Sequence, residues 1–251
     1  MKHILENIKT SKKYKNLDEN IIKQKIEKII KKYPKAKDKF IIKQVKTELH
    51  KTTGFSIRAG KQEKLLSSKQ YEKFLETNRS TKERFKDYPN LYKKIFQITN
   101  KPKSILDLGS GINPISIIYM DIKPVYYAYD VNKSDIKLVN QFFKQESIKG
   151  KAEVLNLNNI NNIKKLEKSD ICFLFKAVDV LESKGHKYTE QIIKNLKCEH
   201  VVISFATKTL GGKKMRYAGR GWIERMLERL NIKYDKFEIS NEVFYVIKKS
   251  S

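Results

Sequence analysis

ILDLGSGINP is the sequence of Ile105–Pro114, and this stretch decides the fold. It begins as a short apolar strand and runs directly into a turn that contains Gly109 and Gly111. Because glycine has no Cβ, the backbone of such a turn can approach a ligand closely. The spacing Gly109-x-Gly111 lacks the third glycine of the dinucleotide-binding fingerprint, which disfavours a dehydrogenase. The stretch therefore predicts the first strand of a parallel sheet, with a ligand-binding turn at its carboxyl end.

Short apolar runs alternate with amphipathic segments after this strand, as in a parallel sheet with crossover helices. The predicted strands are Ile105–Leu108, Val125–Asp130, Ala152–Leu157, Ile171–Lys176 and His200–Phe205. Two further runs, Lys236–Ser240 and Glu242–Ile247, meet at the turn Ser240–Asn241 and predict an antiparallel hairpin. An α/β chain with a Rossmann-like sheet and a terminal hairpin has the arrangement of class I methyltransferases, although a fold does not by itself establish chemistry.

The first 80 residues differ from the rest and predict a helical, basic domain. Up to Gln70 they contain 20 Lys and Arg against 7 Asp and Glu. The difference is a net charge of +13, half of the chain's net charge of +26. Apolar residues recur at helical spacing in two segments. Asp18 is expected to cap the first segment, Pro34 to end it, and Gly54 to end the second. The apolar positions are Ile22, Ile26, Ile29 and Ile30 in the first and Phe40, Ile41, Val45 and Leu49 in the second. We therefore predict a domain over residues 1–80 and a separable sheet domain over residues 81–251.

The charge and the cysteines limit the class of protein. A net charge of +26 repels itself in a compact molecule unless an anionic partner offsets it, and nucleic acid is the default partner.

No apolar run reaches the roughly 20 residues that span a bilayer, and residues 1–10 lack the apolar stretch of a secretory signal, so we expect a cytoplasmic protein. Neither Cys172 nor Cys198 lies at a spacing typical of a disulfide framework or a metal site, and no metal is predicted.

The second predicted strand ends in a carboxylate, Asp130. A carboxylate at this position can accept hydrogen bonds from both ribose hydroxyls of an adenosine. This favours either NAD or S-adenosylmethionine as the ligand. The alternative is that Asp130 only caps the helix that begins near Asn132.

Several motifs together resemble the aminoglycoside-resistance 16S rRNA (guanine-N7) methyltransferases. They are Lys13–Asp18, Thr81–Arg84, Asp107–Pro114, Ala128–Val131, Ile203–Phe205 and Lys208–Lys213, and they span most of the chain. The chain departs from the family at three positions. Asn78 and Arg79 stand where the family often has a histidine followed by a serine, and Ala206 replaces a frequent proline.

The resemblance implies a cofactor, S-adenosylmethionine, and assigns residues to its parts. It implies that Arg84 binds the methionine carboxylate, which a guanidinium can do with two parallel hydrogen bonds. The alternative is that Arg84 pairs with a surface acid such as Asp87. The resemblance further implies that Gly109 lines the methionine moiety and Asp130 holds the ribose. Asn156 and Leu157 would then lie beside the adenine, where family members commonly have an acid at the position of Asn156.

The residues after the fourth predicted strand narrow the choice of target atom. Methyltransferases of exocyclic amines carry an Asn/Asp-Pro-Pro-aromatic segment there, whereas this chain has Phe175–Val178. A ribose hydroxyl would need a base, and Lys176 near Asp179 and Glu182 could serve as one. Guanine N7 presents a lone pair and needs alignment rather than deprotonation, so no general base is required. The resemblance selects N7 and leaves Lys176 as the one candidate catalytic residue, with a solvated lysine as the alternative.

A second basic segment, Thr207–Lys236, carries a net charge of +6 and predicts an RNA-binding loop. The candidate RNA-binding residues in it are Lys208, Lys213, Lys214 and Arg216. Trp222 opens the following predicted helix, and core packing is favoured for it over base stacking. The expected partner is the small ribosomal subunit and its 16S rRNA, bound by a monomer. Two alternatives stay open: a methyltransferase of another rRNA or tRNA base, and a ribosome-assembly factor without activity.

Overall fold

The apolar runs that alternate with amphipathic segments form the strands of one sheet, which has helices on both faces. A group of helices precedes this sheet in the chain. The computed structural model describes residues 1–11, 14–52, 59–181, 186–209, 212–213, 215 and 219–249. The strands are β1 Ser104–Leu108, β2 Val125–Asp130, β3 Gly150–Val154, β4 Ser169–Phe175, β5 Cys198–Ala206, β6 Tyr234–Ile239 and β7 Glu242–Lys248. The α-helices are α1 Lys2–Lys9, α2 Glu19–Lys32, α3 Asp38–Thr52, α4 Ala59–Ser67, α5 Tyr71–Leu75, α6 Arg79–Arg84, α7 Tyr88–Thr99, α8 Lys133–Gln145, α9 Ile160–Lys164, α10 Val178–Leu181, α11 Lys187–Asn195 and α12 Gly221–Arg229. Two 3-10 helices span Phe85–Asp87 and Asn113–Tyr119.

The sheet has the order β3-β2-β1-β4-β5-β7-β6. Strands β1 to β5 run parallel, and β7 pairs antiparallel with both β5 and β6. The predicted Rossmann-like class I methyltransferase sheet with a terminal hairpin is confirmed, including the turn at Ser240 and Asn241. Because the five parallel strands share one direction, their carboxyl ends lie at one edge, where ligands bind in open α/β sheets.

Strand β3 differs from its prediction of Ala152–Leu157 at both ends. Its partner β2 ends at Asp130, which is paired with Val154. The amide of Leu155 still donates to the Asp130 carbonyl at 2.9 Å, but β2 ends at Asp130 and does not continue alongside the residues that follow. The apolar run through Leu157 therefore leaves the sheet, and Leu157 is buried at the sheet's edge instead of within it.

Helices α1 to α3, called here the N-terminal bundle, have a core of their own. Asp18 caps α2 as predicted, with its Oδ1 accepting from the Asn20 amide at 2.9 Å, and α2 ends two residues before Pro34. The predicted apolar positions are buried except for Ile30, which is half-buried, and Phe40, which is 40% exposed. The prediction that Phe40 belongs to the apolar face is wrong: it packs edge-on against Tyr33 at the bundle surface, with ring centroids 5.2 Å apart. Gly54 lies outside the described residues.

Helices α4 and α5 belong to the hydrophobic core of the sheet, where α4 contacts α8 and α5 contacts the 3-10 helix Asn113–Tyr119. Leu65, Leu66, Phe74 and Leu75 belong to the same buried cluster as Ile105 of β1. The division at residue 80 stays a prediction, and this packing favours a boundary earlier in the chain. Within the described ranges, no helix has the length and apolarity needed to cross a bilayer. The described part of the chain also holds no cluster of His, Cys, Asp and Glu suited to a metal ion.

Candidate functional site

A cavity of about 360 Å³ lies at the carboxyl edge of the sheet. It brings together residues from the glycine turn, the ends of β2 and β4, helix α6 and the N-terminal bundle. Its lining includes Ile21, Ser80, Glu83, Arg84, Gly109, Gly111, Asn113, Asp130, Asp135, Leu157, Lys176 and Lys208. Sequence positions that are far apart therefore share one concave site.

The glycine turn after β1 is shaped by backbone contacts with β2. The amides of Gly109 and Ser110 both donate to the Tyr129 carbonyl, at 2.8 and 3.1 Å. Gly109 has a φ of +70°, and a Cβ there would lie 3.0 Å from the Cβ of Ala177. The backbone conformation strongly favours glycine at this position, and a Cβ here would crowd Ala177.

Asp130 ties the glycine turn to the segment that follows β2. Its Oδ2 accepts from the Gly111 amide at 2.9 Å, and its Oδ1 accepts from the Asn132 amide at 2.8 Å. Burial raises the pKa of Asp130, and these backbone donors oppose the rise. Asn132, not Asp130, caps α8, because its side chain accepts from the Ser134 amide at 3.0 Å. The capping alternative for Asp130 is thus wrong, and its carboxylate lines the cavity.

Arg84 is buried, and its partner is not the surface acid Asp87. Its Nε donates to both carboxylate oxygens of Glu242, at 3.1 and 2.9 Å. The two remaining nitrogens reach the Asn113 amide oxygen at 3.3 Å and the Ser80 hydroxyl at 3.2 Å. Burial alone would raise the pKa of Glu242, but Arg84 and Lys176 outweigh it and hold this pKa below its ordinary value.

Lys176, directly after β4, is held by two acids. Its Nζ lies 2.7 Å from Glu83 and 3.1 Å from Glu242, and its side chain is 16% exposed. It is therefore not the solvated lysine of the alternative interpretation. Asp179, one of the two acids expected to support a base here, pairs instead with Arg220 at 2.9 Å. Glu182, the other, lies outside the described residues.

The two residues expected beside an adenine differ in position. Leu157 is buried and lines the cavity. Asn156 does not line it: its Nδ2 donates to Gln24 of α2 at 3.1 Å, and its Oδ1 accepts from the Asn158 amide at 2.9 Å. The lining residues on either side of Leu157 are Leu155 and Asn158.

The cavity lining also includes residues that the sequence analysis does not predict, among them Asp135, Ile21, Glu83 and Asn113. Asp135 has an oxygen, Oδ1, with no hydrogen-bond partner in the described part of the chain, while its Oδ2 accepts from Asn132 at 3.0 Å. Burial and the charge of Asp130 raise the pKa of Asp135 to about 7. Its spacing of three residues from the cap Asn132 is a capping-box signal that the sequence does contain. Ile21 of α2 carries no such signal, because a cavity-lining isoleucine looks like any other core position.

The predicted RNA-binding residues are described only in part. Lys208 is exposed and lines the cavity, and Lys213 is exposed. Next to Lys208, the Thr209 amide donates to the Lys213 carbonyl at 2.8 Å. Lys214 and Arg216 lie outside the described residues. Trp222 is half-buried and packs edge-on against Phe205 of β5, with centroids 5.8 Å apart, which agrees with the expected packing role.

Comparison with known proteins identifies the family to which this chain is similar. The family described as ribosomal RNA methyltransferase (FmrO) matches residues 10–246. A 16S rRNA (guanine(1405)-N(7))-methyltransferase of Micromonospora rosea is 26% identical over 174 residues, which cover 68% of this chain and 62% of that protein. The chain thus spans less than two thirds of that relative. An enzyme of the same name from Serratia marcescens is 27% identical over 187 residues, covering 74% of this chain and 72% of its own.

A solved structure gives the same fold over the whole chain. The 16S rRNA methyltransferase RmtF, in complex with S-adenosyl-L-homocysteine, has a TM-score of 0.85 at 21% identity and covers 99% of this chain and 98% of its own. The family match includes all or most of every strand of the sheet, the glycine turn, Asp130 and the Arg84–Glu242 pair. The chain therefore belongs to the ribosomal RNA methyltransferase (FmrO) family.

Proposed function

We propose that the protein methylates 16S rRNA in the small ribosomal subunit, at N7 of a guanine, with S-adenosylmethionine as the methyl donor. The named activity of the Micromonospora rosea and Serratia marcescens relatives supports this substrate. The observation that carries the proposal is one cavity that contains a strand-end carboxylate, Asp130, and a buried guanidinium, Arg84.

The residues of the cavity fit the parts of S-adenosylmethionine. The Asp130 carboxylate can accept from the ribose hydroxyls, and Leu157 offers an apolar surface to the adenine. The backbone at Gly109 leaves room for the methionine moiety, whose carboxylate Arg84 would bind. Asn156 can contact the adenine only if its amide leaves Gln24, so we assign this contact first to Leu157.

The charges around Arg84 suit a ligand carboxylate. Three cations, on Arg79, Arg84 and Lys176, interact with two acids, Glu83 and Glu242. The other two guanidinium nitrogens of Arg84 donate to neutral acceptors, the Asn113 amide oxygen and the Ser80 hydroxyl. An anionic group that enters the cavity near Arg84 would be attracted to these nitrogens, and the low-dielectric surroundings strengthen that attraction.

The chemistry asks for alignment more than for proton transfer. S-adenosylmethionine, when bound, supplies a methyl group on a sulfonium. Guanine N7 offers its lone pair at neutral pH, so the protein has to hold the base in line and exclude water. Lys176, fixed by Glu83 and Glu242, would act by position and charge and not as a base.

RNA would be held by the basic domain of residues 1–80 and by the segment after β5. Residues 81–251 would form the methyltransferase domain. Lys208 lines the cavity and Lys213 is exposed in the same segment, and we assign Lys214 and Arg216 to the same RNA contact. Phosphate contacts of this kind give affinity without base specificity. We propose a monomer that acts in the cytoplasm, where its ribosomal substrate is found.

The test is product analysis. Purified small subunits are incubated with the protein and labelled S-adenosylmethionine, and 7-methylguanosine is expected in the 16S rRNA by nucleoside mass spectrometry. Reduction and aniline treatment should then cleave the chain and give a primer-extension stop at one nucleotide. Subunits without the protein are the control. Methylation confined to tRNA, to a ribose hydroxyl or to an adenine would reject the assignment, and RNA binding without cofactor binding would favour an assembly factor.

A further inference from the structure

The segment after β2, which carries the Asp130 carboxylate, is bound on its outer side by the N-terminal bundle. Leu17 forms an antiparallel bridge with Asn132. The Asp18 amide donates to the Val131 carbonyl at 3.3 Å, and the Lys133 amide donates to the Asn16 carbonyl at 3.1 Å. Val131 also packs against the apolar core of the bundle. Residues 16–18 therefore hold the backbone directly beside Asp130.

Helix α2 reaches the cavity itself. Ile21, one turn from the Asp18 cap, lines the cavity and is only 2% exposed. One turn further, Gln24 accepts from the Asn156 amide at 3.1 Å, which ties α2 to the segment that carries Leu157. The bundle thus contacts the protein on both sides of the proposed adenosine site, at Asp130 and at Asn156.

The same bundle carries a strong positive charge. Residues 1–52 contain 16 Lys against 6 Asp and Glu. A surface of this charge binds a polyanion such as RNA through its phosphates. The bundle therefore combines an RNA-binding surface with a contact to the cofactor cavity. A ligand that holds the bundle in place at one of these two sites would favour binding of the other ligand.

We propose that residues 16–21 are part of the cofactor site and that cofactor and ribosomal RNA consequently bind with positive cooperativity through the N-terminal bundle. The inference rests on the proposed function for both ligands. A cofactor that contacts Ile21 and Asp130 stabilises the docked bundle, and RNA that contacts the bundle and Lys208 together stabilises the same arrangement. By linkage, each ligand raises the affinity of the other by an equal factor. The domain of residues 1–80, which the sequence predicts to be separable from the cofactor site, would then contribute residues to that site.

The first test compares Ile21→Ala with Ile26→Ala in the full chain. Both isoleucines lie on α2 and are buried in the bundle core, and of the two only Ile21 lines the cavity. Calorimetry with S-adenosylhomocysteine is expected to show a Kd raised about 3- to 10-fold by Ile21→Ala. Ile26→Ala should stay within about 2-fold of the unsubstituted protein, since removing apolar atoms at a distance from the ligand leaves the binding energy unchanged. Circular dichroism checks that both variants fold, and Ile21→Val, which removes one methyl group, replaces Ile21→Ala if it does not.

The second test measures reciprocity. Affinity for purified small subunits is measured with and without S-adenosylhomocysteine, and a gain is expected in its presence that shrinks toward none in the Ile21→Ala variant. Equal cofactor affinity in Ile21→Ala and the unsubstituted protein, equal losses in the two alanine variants, or subunit affinity independent of S-adenosylhomocysteine would overturn the inference. An unsubstituted protein that binds no S-adenosylhomocysteine at all would instead overturn the proposed function.

Discussion

The guanidinium of Arg84 and the carboxylate of Glu242 form a buried pair across 158 positions of sequence. Each side chain is 4% exposed, and the Ser204 hydroxyl and the Lys176 ammonium also contact the Glu242 carboxylate. The pair joins helix α6 to strand β7 directly beneath the cavity. It therefore connects the proposed cofactor-binding arginine to the terminal hairpin of the sheet.

Glu242→Gln is expected to lower the free energy of unfolding by about 3 kcal/mol, because it leaves Arg84 and Lys176 buried with less compensating charge. Urea denaturation followed by circular dichroism measures the change. Glu238→Gln, on the exposed part of the same hairpin, is the control and should change stability by less than about 0.5 kcal/mol. Equal stabilities in the two variants would mean that the pair is not important for the fold.

Asp130→Ala is expected to raise the Kd for S-adenosylhomocysteine about 10- to 100-fold, because it removes a charged acceptor from the ribose site and releases the Gly111 amide. Asp170→Ala is a matched control. Its carboxylate also accepts two backbone amides, those of Lys103 and Ser104, but at the opposite edge of the sheet. Calorimetry should show unchanged cofactor affinity in Asp170→Ala, and a similar loss in both variants would indicate a general effect on the sheet.

Lys176→Met tests whether a general base is needed. If methyl transfer requires only alignment, the single-turnover rate should fall about 10-fold and the product should remain 7-methylguanosine. A catalytic base would instead make the loss about 1,000-fold or more, with a pH profile that changes in the variant. Rapid-quench measurements with saturating small subunits and cofactor distinguish the two outcomes.

Lys208→Ala is expected to weaken small-subunit binding and to reduce the slope of log affinity against log salt by about one, as for the loss of one phosphate contact. Lys101→Ala removes an exposed lysine just before β1, at the opposite edge of the sheet, and should leave the slope unchanged. Filter binding over a range of salt concentrations measures both. Identical slopes in the two variants would remove Lys208 from the RNA contact.

The contribution of Asp135 to the free energy of unfolding should fall as the pH rises from about 4 to about 7. Its pKa is raised to about 7 in the folded protein, so the folded state keeps a proton that the unfolded chain has already lost above its ordinary pKa near 4. This contribution is present at low pH and is lost as the pH rises through 7. Between pH 5 and pH 8, the free energy of unfolding of the unsubstituted protein should fall by about 2 kcal/mol more than that of Asp135→Asn. Parallel stability curves for the two proteins would contradict the prediction.

Features set by neighbouring residues could be predicted from the sequence. The glycine turn, the Asp18 cap and the hairpin at Ser240 depend on a few adjacent side chains whose backbone preferences are strong. Features set by pairing across the fold could not. The end of β3 depends on where β2 stops, and the partner of Arg84 could not be predicted because Glu242 lies 158 positions away, whereas the acids nearest in sequence are Glu83 and Asp87. The resemblance predicts Asn156 beside the ligand, whereas its amide donates to Gln24 of helix α2 and it does not line the cavity.

The order of the strands has a consequence for synthesis of the protein. Strand β7 lies between β5 and β6 although it follows both in the chain. A nascent chain that has reached only β6 would leave the edge of β5 open and Arg84 without Glu242. At a translation rate of about 5–20 residues per second, Glu242 is synthesised roughly 8–30 seconds after Arg84. During that interval the chain is expected to depend on chaperones, and release before residue 242 should yield an aggregation-prone product without a cofactor site.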